Sequence, residues 1–175
     1  MKRIFSLSLI LYSLIVFSSC NTTEVSTTTL SVKVPVEVAD TTSTATKSEA
    51  MSYAFSQSLT ESLEEDENLK EFIDNLKSLR VEDFYVKFSG IQSNQSIDSI
   101  DISIEGIGVI ATFENIASSN PPQQPEINSS ILVLIGNILK SEQELTVLVS
   151  GTTNSAPMNF VVETYFVLKI ETSSP

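Results

Sequence analysis

The chain has no histidine, no tryptophan, a single cysteine and only five glycines in 175 residues. Without histidine, Ser-His-Asp and Cys-His nucleophile systems, histidine-ligated zinc and histidine proton shuttles are all excluded. One cysteine makes neither an internal disulfide nor a Cys-x-x-Cys metal or redox pair, so a hydrophobic core must carry stability alone. Gly106-Ile107-Gly108 is too short to cradle a phosphate, and no Ser-x-x-Lys nucleophile motif occurs. Positive charge is scarce as well: ten Lys and Arg stand against 22 Asp and Glu, a net charge of −12. So acidic a chain repels phosphate backbones, and no nucleic acid partner is expected. Nothing in the residue pattern calls for a cofactor or a resident metal.

What is present begins at the N-terminus. Met1, Lys2 and Arg3 precede an apolar run from Ile4 to Phe17, which is broken by Ser6, Ser8 and Ser13 and ends in Ser18-Ser19. That is the layout of a secretory signal peptide, and the run is shorter than the roughly 20 apolar residues of a membrane-spanning helix. The lone cysteine follows at once. Phe17-Ser18-Ser19-Cys20 has the form of a bacterial lipobox, with Phe where Leu is commonest, in which the cysteine is acylated and becomes the mature N-terminus. One acyl chain anchors reversibly and two or more anchor stably, so a multiply acylated Cys20 stays in the bilayer. The expected division is a signal peptide over 1–19, a Ser/Thr-rich tether over 20–29, and a single domain over 30–175. The mature chain then holds eight basic residues against 22 acidic ones and does not adsorb to anionic lipid by charge, which leaves a covalent lipid as its link to the membrane.

Beyond the tether the periodicity is mostly two. Leu30, Val32, Val34, Val36 and Val38 alternate with polar residues, and Pro35, which cannot donate to a ladder, marks an edge strand. YAFSQSL reads as a weaker strand. Leu69, Phe72, Ile73, Leu76 and Leu79 recur at helical spacing and predict one amphipathic helix. Strands follow with Phe84, Val86 and Phe88 on one face, then Ile100, Ile102 and Ile104, then a turn at Gly106 and Gly108 before VIATFENI. The Pro121-Pro122 and Pro125 region is a loop. SILVLIGNILKS admits a second short helix or a buried strand, and its length and Ile131, Ile135, Ile138 and Leu139 spacing favour the helix despite Gly136; ELTVLVSG and NFVVETYFVLKIE close the domain as strands. About seven strands and one or two short helices make an antiparallel β-sandwich, immunoglobulin-like or related, the expected fold. A similarity between LKSLRVEDFYVKFSG and LKSEQELTVLVSG raises the possibility of a duplicated helix-strand unit.

The lipobox cysteine, the Ser/Thr tether and the stretch LKSEQELTVLVSGTTNSAPMNF together resemble small lipoproteins of the Bacteroidota, of flavobacterial type. The resemblance implies a lipid-anchored location in the bacterial cell envelope, at the outer membrane, and no activity. Asp40-Thr41-Thr42 and Asp98-Ser99-Ile100 resemble the O-glycosylation sequon of that phylum and make Thr41 and Ser99 candidate glycan acceptors, although three-residue matches also arise by chance.

Other candidates have a structural reading at hand. Glu64, Glu65, Asp66 and Glu67 stand where carboxylates offset the positive end of a helix. Asp98, Asp101 and Glu105 miss calcium-loop spacing and alternate with isoleucine as a solvated strand face does. A glycosidase needs only two carboxylates, yet sugar sites favour aromatic platforms, for which the domain offers only Tyr53, Tyr85 and Tyr165. The functional expectation is a non-enzymatic binding, structural or assembly-accessory module with an envelope protein or glycan as partner. The alternatives are a carbohydrate- or calcium-dependent binding domain and, behind it, a carboxylate hydrolase.

Overall fold

The computed structural model describes residues 23–40, 52–117 and 121–173. Seven strands lie in two antiparallel sheets. β1 (Thr23–Val38), β7 (Met158–Ser173) and β3 (Leu76–Ser89) form one sheet in the order β1-β7-β3. β2 (Tyr53–Ser62), β6 (Glu144–Thr153), β4 (Ser96–Ile104) and β5 (Gly108–Ala117) form the other in the order β2-β6-β4-β5. The layering is that of a β-sandwich, with a strand order of its own rather than the ABED/CFG order of immunoglobulin domains.

Alternation builds the core. Leu30, Val32, Val34, Val36 and Val38 are 0 to 2 % exposed, and Val162, Phe166, Leu168 and Ile170 of the neighbouring β7 lie on the same inner face. Ile100, Ile102 and Ile104 and the inward valines of β6 close the cluster from the other sheet. Aromatic edges bridge the layers: Phe55 meets Phe160 at 5.3 Å and Phe88 meets Phe113 at 5.3 Å. Within the first sheet Phe84 and Phe166 are cross-strand partners with ring centroids 4.9 Å apart. Thr164 is the polar exception on that buried face, and its hydroxyl donates to the Val32 carbonyl at 3.3 Å.

Two expectations are corrected. The helix expected over Leu69 to Leu79 shrinks to α1 (Lys70–Ile73), and Leu76 and Leu79 belong to β3. Leu69 caps α1 without a side-chain hydrogen bond, and four residues give too few internal bonds to sustain a helix. The β7 edge offers a full ladder instead, on which Leu79 and Val81 point inward at strand spacing and a bulge before Asp83 carries the same alternation to Phe84, Val86 and Phe88. LKSLRVEDFYVKFSG is thus nearly all strand, whereas its look-alike begins with the end of a helix, and the two segments are not copies of one unit.

Likewise the first strand starts at Thr23 and not at Leu30. Thr23 to Thr29 pair with Ser173 to Val167 and extend the sheet beyond the apolar core. Composition concealed this because an edge strand overhanging the core needs no apolar residues, and β-branched threonine suits a half-solvated ladder.

β1 is an edge strand as Pro35 requires, and the β3 edge is covered. Val86 exchanges both backbone hydrogen bonds with Gln123, at 2.9 and 2.7 Å, so the Pro-rich loop lies against the upper part of β3. Against the lower part packs the second helix, α2 (Ser129–Glu142), the one expected from SILVLIGNILKS. Asn128 caps it by accepting from the Ser130 amide, and Ile135 and Leu139 are buried beneath it. Gly136 allows the close approach, since a Cβ there would stand 3.3 Å from the Leu79 carbonyl oxygen. Covering an edge in this way blocks sheet-to-sheet association.

Candidate binding face

The outward residues of the three-stranded sheet form an ordered polar surface. Successive rows across β1, β7 and β3 read Lys33-Glu163-Lys87, Ser31-Tyr165-Tyr85 and Thr29-Val167-Asp83, with Lys169 and Arg80 paired below. The antiparallel register therefore sets Tyr85 and Tyr165 side by side. Each phenol donates to the carboxylate two residues before it on its own strand, Tyr85 to Asp83 at 3.3 Å and Tyr165 to Glu163. A hydroxyl that reaches back two residues requires the side chain to lean along its strand. Because the strands run in opposite directions, the rings lean apart and together form a diagonal aromatic strip.

Neighbours fix this arrangement. Beneath the two tyrosines, Phe84 and Phe166 pack as a pair on the inner side and hold the register. Gln124 of the Pro-rich loop donates to Asp83 at 2.6 Å, and Lys87 approaches Glu163 at 3.6 Å. Bonding from Tyr165 holds Glu163 below the usual carboxylate range, against the opposing effect of burial, with the Lys87 and Lys33 charges assisting. The same bond, together with burial, pushes the Tyr165 phenol up to about 12. Burial and then the Asp83 charge raise Tyr85. Both carboxylates are thus engaged by protein donors. They also sit in rows four residues apart, about 13 Å along the strands. Paired glycosidase carboxylates are roughly 5 to 9.5 Å apart, so this pair cannot act on one glycosidic bond.

The residues singled out in the sequence are scattered. Cys20 and Thr41 lie outside the described residues. Ser99 is half-buried on the outward side of β4, its hydroxyl 3.3 Å from that of Thr152. Asp101 accepts from Thr112 at 2.6 Å, while Glu105 belongs to the turn after β4. Glu64 to Glu67 occupy the turns before α1 rather than the end of a sustained helix, so the macrodipole rationale is replaced by a local one. The Asp66 carbonyl accepts from Leu69 and Lys70, and its carboxylate accepts from the Asn68 amide. Among the described residues no three acidic side chains converge in a metal-binding group, and no helix is long and apolar enough to cross a membrane.

The sequence offers Tyr85 and Tyr165 only as two of three tyrosines in the domain, with nothing to bring them together. The signal that could have singled them out is a shared spacing, Asp83-Phe84-Tyr85 and Glu163-Thr164-Tyr165, each an acid two positions before a tyrosine within an alternating run. Open grooves border this sheet. One of ≈ 610 Å³ runs past Pro35, Asn159 and Val161 at its upper end, and another of ≈ 430 Å³ lies between β3 and α2, past Arg80 and Lys140. No protein-family model matches the chain, and comparison with curated proteins gives no match.

Proposed function

We propose that this protein is an exported, lipid-anchored protein of the bacterial cell envelope, at the outer membrane, that works by binding rather than by catalysis. The observation that carries the binding reading is the outer face of the β1-β7-β3 sheet. Its aromatic and charged side chains are held by their own hydrogen bonds on the solvent side of an open sheet, as suits recognition, rather than in a recess that would exclude water from a reaction. Glu163, kept ionised by Tyr165, is poorly suited to donate a proton.

The anchor reading rests on the signal-length apolar run and on the place of Cys20. With β1 starting at Thr23, only Asn21 and Thr22 separate the cysteine from the sheet, a reach of about 10 Å. The domain is then held close to the bilayer, with the long strands leading away from it and the binding face exposed sideways. Partitioning of the native protein into detergent, with an intact mass carrying diacylglyceryl and acyl groups on Cys20, is the expected result, and Cys20→Ser should abolish both. A water-soluble native protein whose N-terminus carries no lipid mass would refute the anchor.

A further inference from the structure

We propose that the free edge of β2 pairs with the same edge of a second copy of this chain, antiparallel and centred on Gln57, so that two four-stranded sheets join into one of eight strands. The inference goes beyond the binding reading above, and only its consequence for membranes rests on the anchor.

The strand edges of the sandwich are not equally guarded. The Pro-rich loop and α2 cover β3. β5 is broken twice, by an extra residue at Ile110, where its register to β4 shifts, and by Asn115 with a φ of 55°. β1 carries Lys33 and Pro35, and the register that matches Lys33 with Glu37 of a copy sets proline opposite proline, with no N–H to donate. β2 has none of these devices. Among the described residues it pairs with β6 alone, through ten residues in unbroken register. From Tyr53 to Ser62 it holds no proline, glycine or lysine and one charge, Glu61.

What selects a second copy as the occupant is the symmetry of the strand. About Gln57 the residues read alike in both directions: Ser56 and Ser58, then Phe55 and Leu59, then Ala54 and Thr60. An antiparallel copy sets the members of each pair opposite one another, small against small and apolar against apolar. Glu61 then falls opposite Tyr53 rather than opposite its own copy, so no like charges meet. Phe55 and Leu59 both pack on the core side of β2, and their pairing carries the core across the junction.

Gln57 is the residue that the junction explains. It shares the side of Phe55 and Leu59, yet it is exposed, and its carboxamide makes no hydrogen bond among the described residues. At the two-fold it meets its own copy, and a carboxamide, with donor and acceptor on one group, is complementary to itself. It also fixes the register, because a slip of two residues would set this polar group against Phe55 or Leu59.

The two-fold reverses the strands of one copy, so β1 starts at opposite ends of the pair. Copies whose strands lead away from one bilayer do not meet in this way, whereas copies anchored in two facing bilayers do. Nine residues a side make a small interface, so the pair is weak in solution, with a Kd of about 10 μM to 1 mM, and many pairs between two membranes act together.

Sedimentation equilibrium of the purified full chain in detergent should show monomer and dimer exchanging in that range. Gln57→Lys, which sets two ammonium groups face to face at an exposed position, should weaken the dimer by about tenfold or more. In Cys20→Ser/Gln57→Cys the one thiol sits at the two-fold, where opposed Cα atoms are about 4.5 to 5.5 Å apart, and mild oxidation should give a disulfide-linked dimer. In Cys20→Ser/Thr60→Cys the two thiols stand six residues, about 20 Å, apart along the strands and should not link.

A strict monomer at about 1 mM, indifference to Gln57→Lys, or equal linking at both cysteines overturns the proposal. Phosphatidylcholine vesicles carrying the acylated protein should clump and those carrying Gln57→Lys should not, and clumping that survives the substitution overturns the junction as the link. Intact mass reads the lipid separately. A protein without acyl groups that pairs refutes the anchor and upholds the junction, and an acylated one that stays monomeric refutes the junction alone.

Discussion

The two outward faces of the sandwich obey the same alternation and carry different chemistry. On the three-stranded sheet, long side chains reach one another across strands: phenol to carboxylate, amide to carboxylate, ammonium to carboxylate. On the four-stranded sheet the outward residues are mostly short hydroxyls, with Thr60 bonded to Thr146, Ser99 to Thr152 and Thr112 to Asp101. The first face has groups that extend into solvent and can be shared with a ligand. The second satisfies itself within one side-chain layer and has no cation to offer. Burial of one side makes a sheet stable, and the free choice of residues on the other gives each sheet its own outward role.

The largest expected effect lies within the four-stranded sheet. At Gly151 an added Cβ would stand 2.1 Å from the Ser99 carbonyl oxygen and 3.0 Å from the Phe55 ring. Gly151→Ala should therefore cost about 3 kcal/mol or more, because the obstacle is backbone and not a movable side chain. Urea unfolding measures it, and a loss under 1 kcal/mol would mean that β6 and β4 are not paired as described.

Substitutions on the two central strands should separate the faces next. Tyr165→Ala removes a half-buried ring and its bond to Glu163 and should cost about 2 kcal/mol. Thr152→Ala, at a comparable place on β6, should cost about 0.5 kcal/mol. Equal losses would mean that the outer face of the three-stranded sheet is no more ordered than the other.

Charge pairing gives a smaller effect of known sign. The Tyr165 phenol is raised to about 12 in the folded chain, so its contribution to stability is full below its ordinary value near 10 and is lost as pH climbs toward 12. Glu163, lowered in the fold, contributes above the ordinary carboxylate range and loses that contribution as pH falls through its depressed value. Ultraviolet titration of the phenolates should show Tyr165 ionising last, after Tyr85, in a step that disappears in Tyr165→Phe. If all tyrosines ionise together near pH 10, the bond to Glu163 is not formed in solution.

The smallest effect is expected inside. Thr164→Val replaces the buried hydroxyl by a methyl of similar shape. The Val32 carbonyl belongs to the β1-β7 ladder, so stability should change by less than about 1 kcal/mol in thermal unfolding. A loss above 2 kcal/mol would show that Thr164 is a specific link between those strands.

How much of this was legible beforehand depends on the element. The strands from Phe84 to Phe88, Ile100 to Ile104 and Phe160 to Ile170 were readable because each buries one face and period two survives in the residues. The edge position of β1 followed from Pro35, and the helix at 129–142 from its length and its isoleucine and leucine spacing. The stretch from Leu69 to Leu79 misled because a helical turn followed by a strand places apolar residues at intervals that also fit a helix. Residues 23–29 misled because small polar residues suit a flexible tether and an overhanging edge strand equally well. In the candidate binding face the acid-x-Tyr spacing was visible in each strand, yet its significance was not, because 80 residues separate Tyr85 from Tyr165.

By itself, then, the sequence determined what local chemistry dictates: an N-terminal pattern of charge, apolar run and cysteine, an alternation that commits most of the domain to strands, and a strongly acidic charge balance. Tertiary structure decided what depends on register. Antiparallel pairing of β3 with β7 brought the two tyrosines together, turned their rings in opposite directions and gathered half the basic residues on one sheet. Side-chain alternation is a property of one strand and can be read along the chain. Which residues stand opposite one another depends on how distant strands settle against a common core, here through the Phe84 and Phe166 pair beneath the two tyrosines, and no local pattern encodes that pairing.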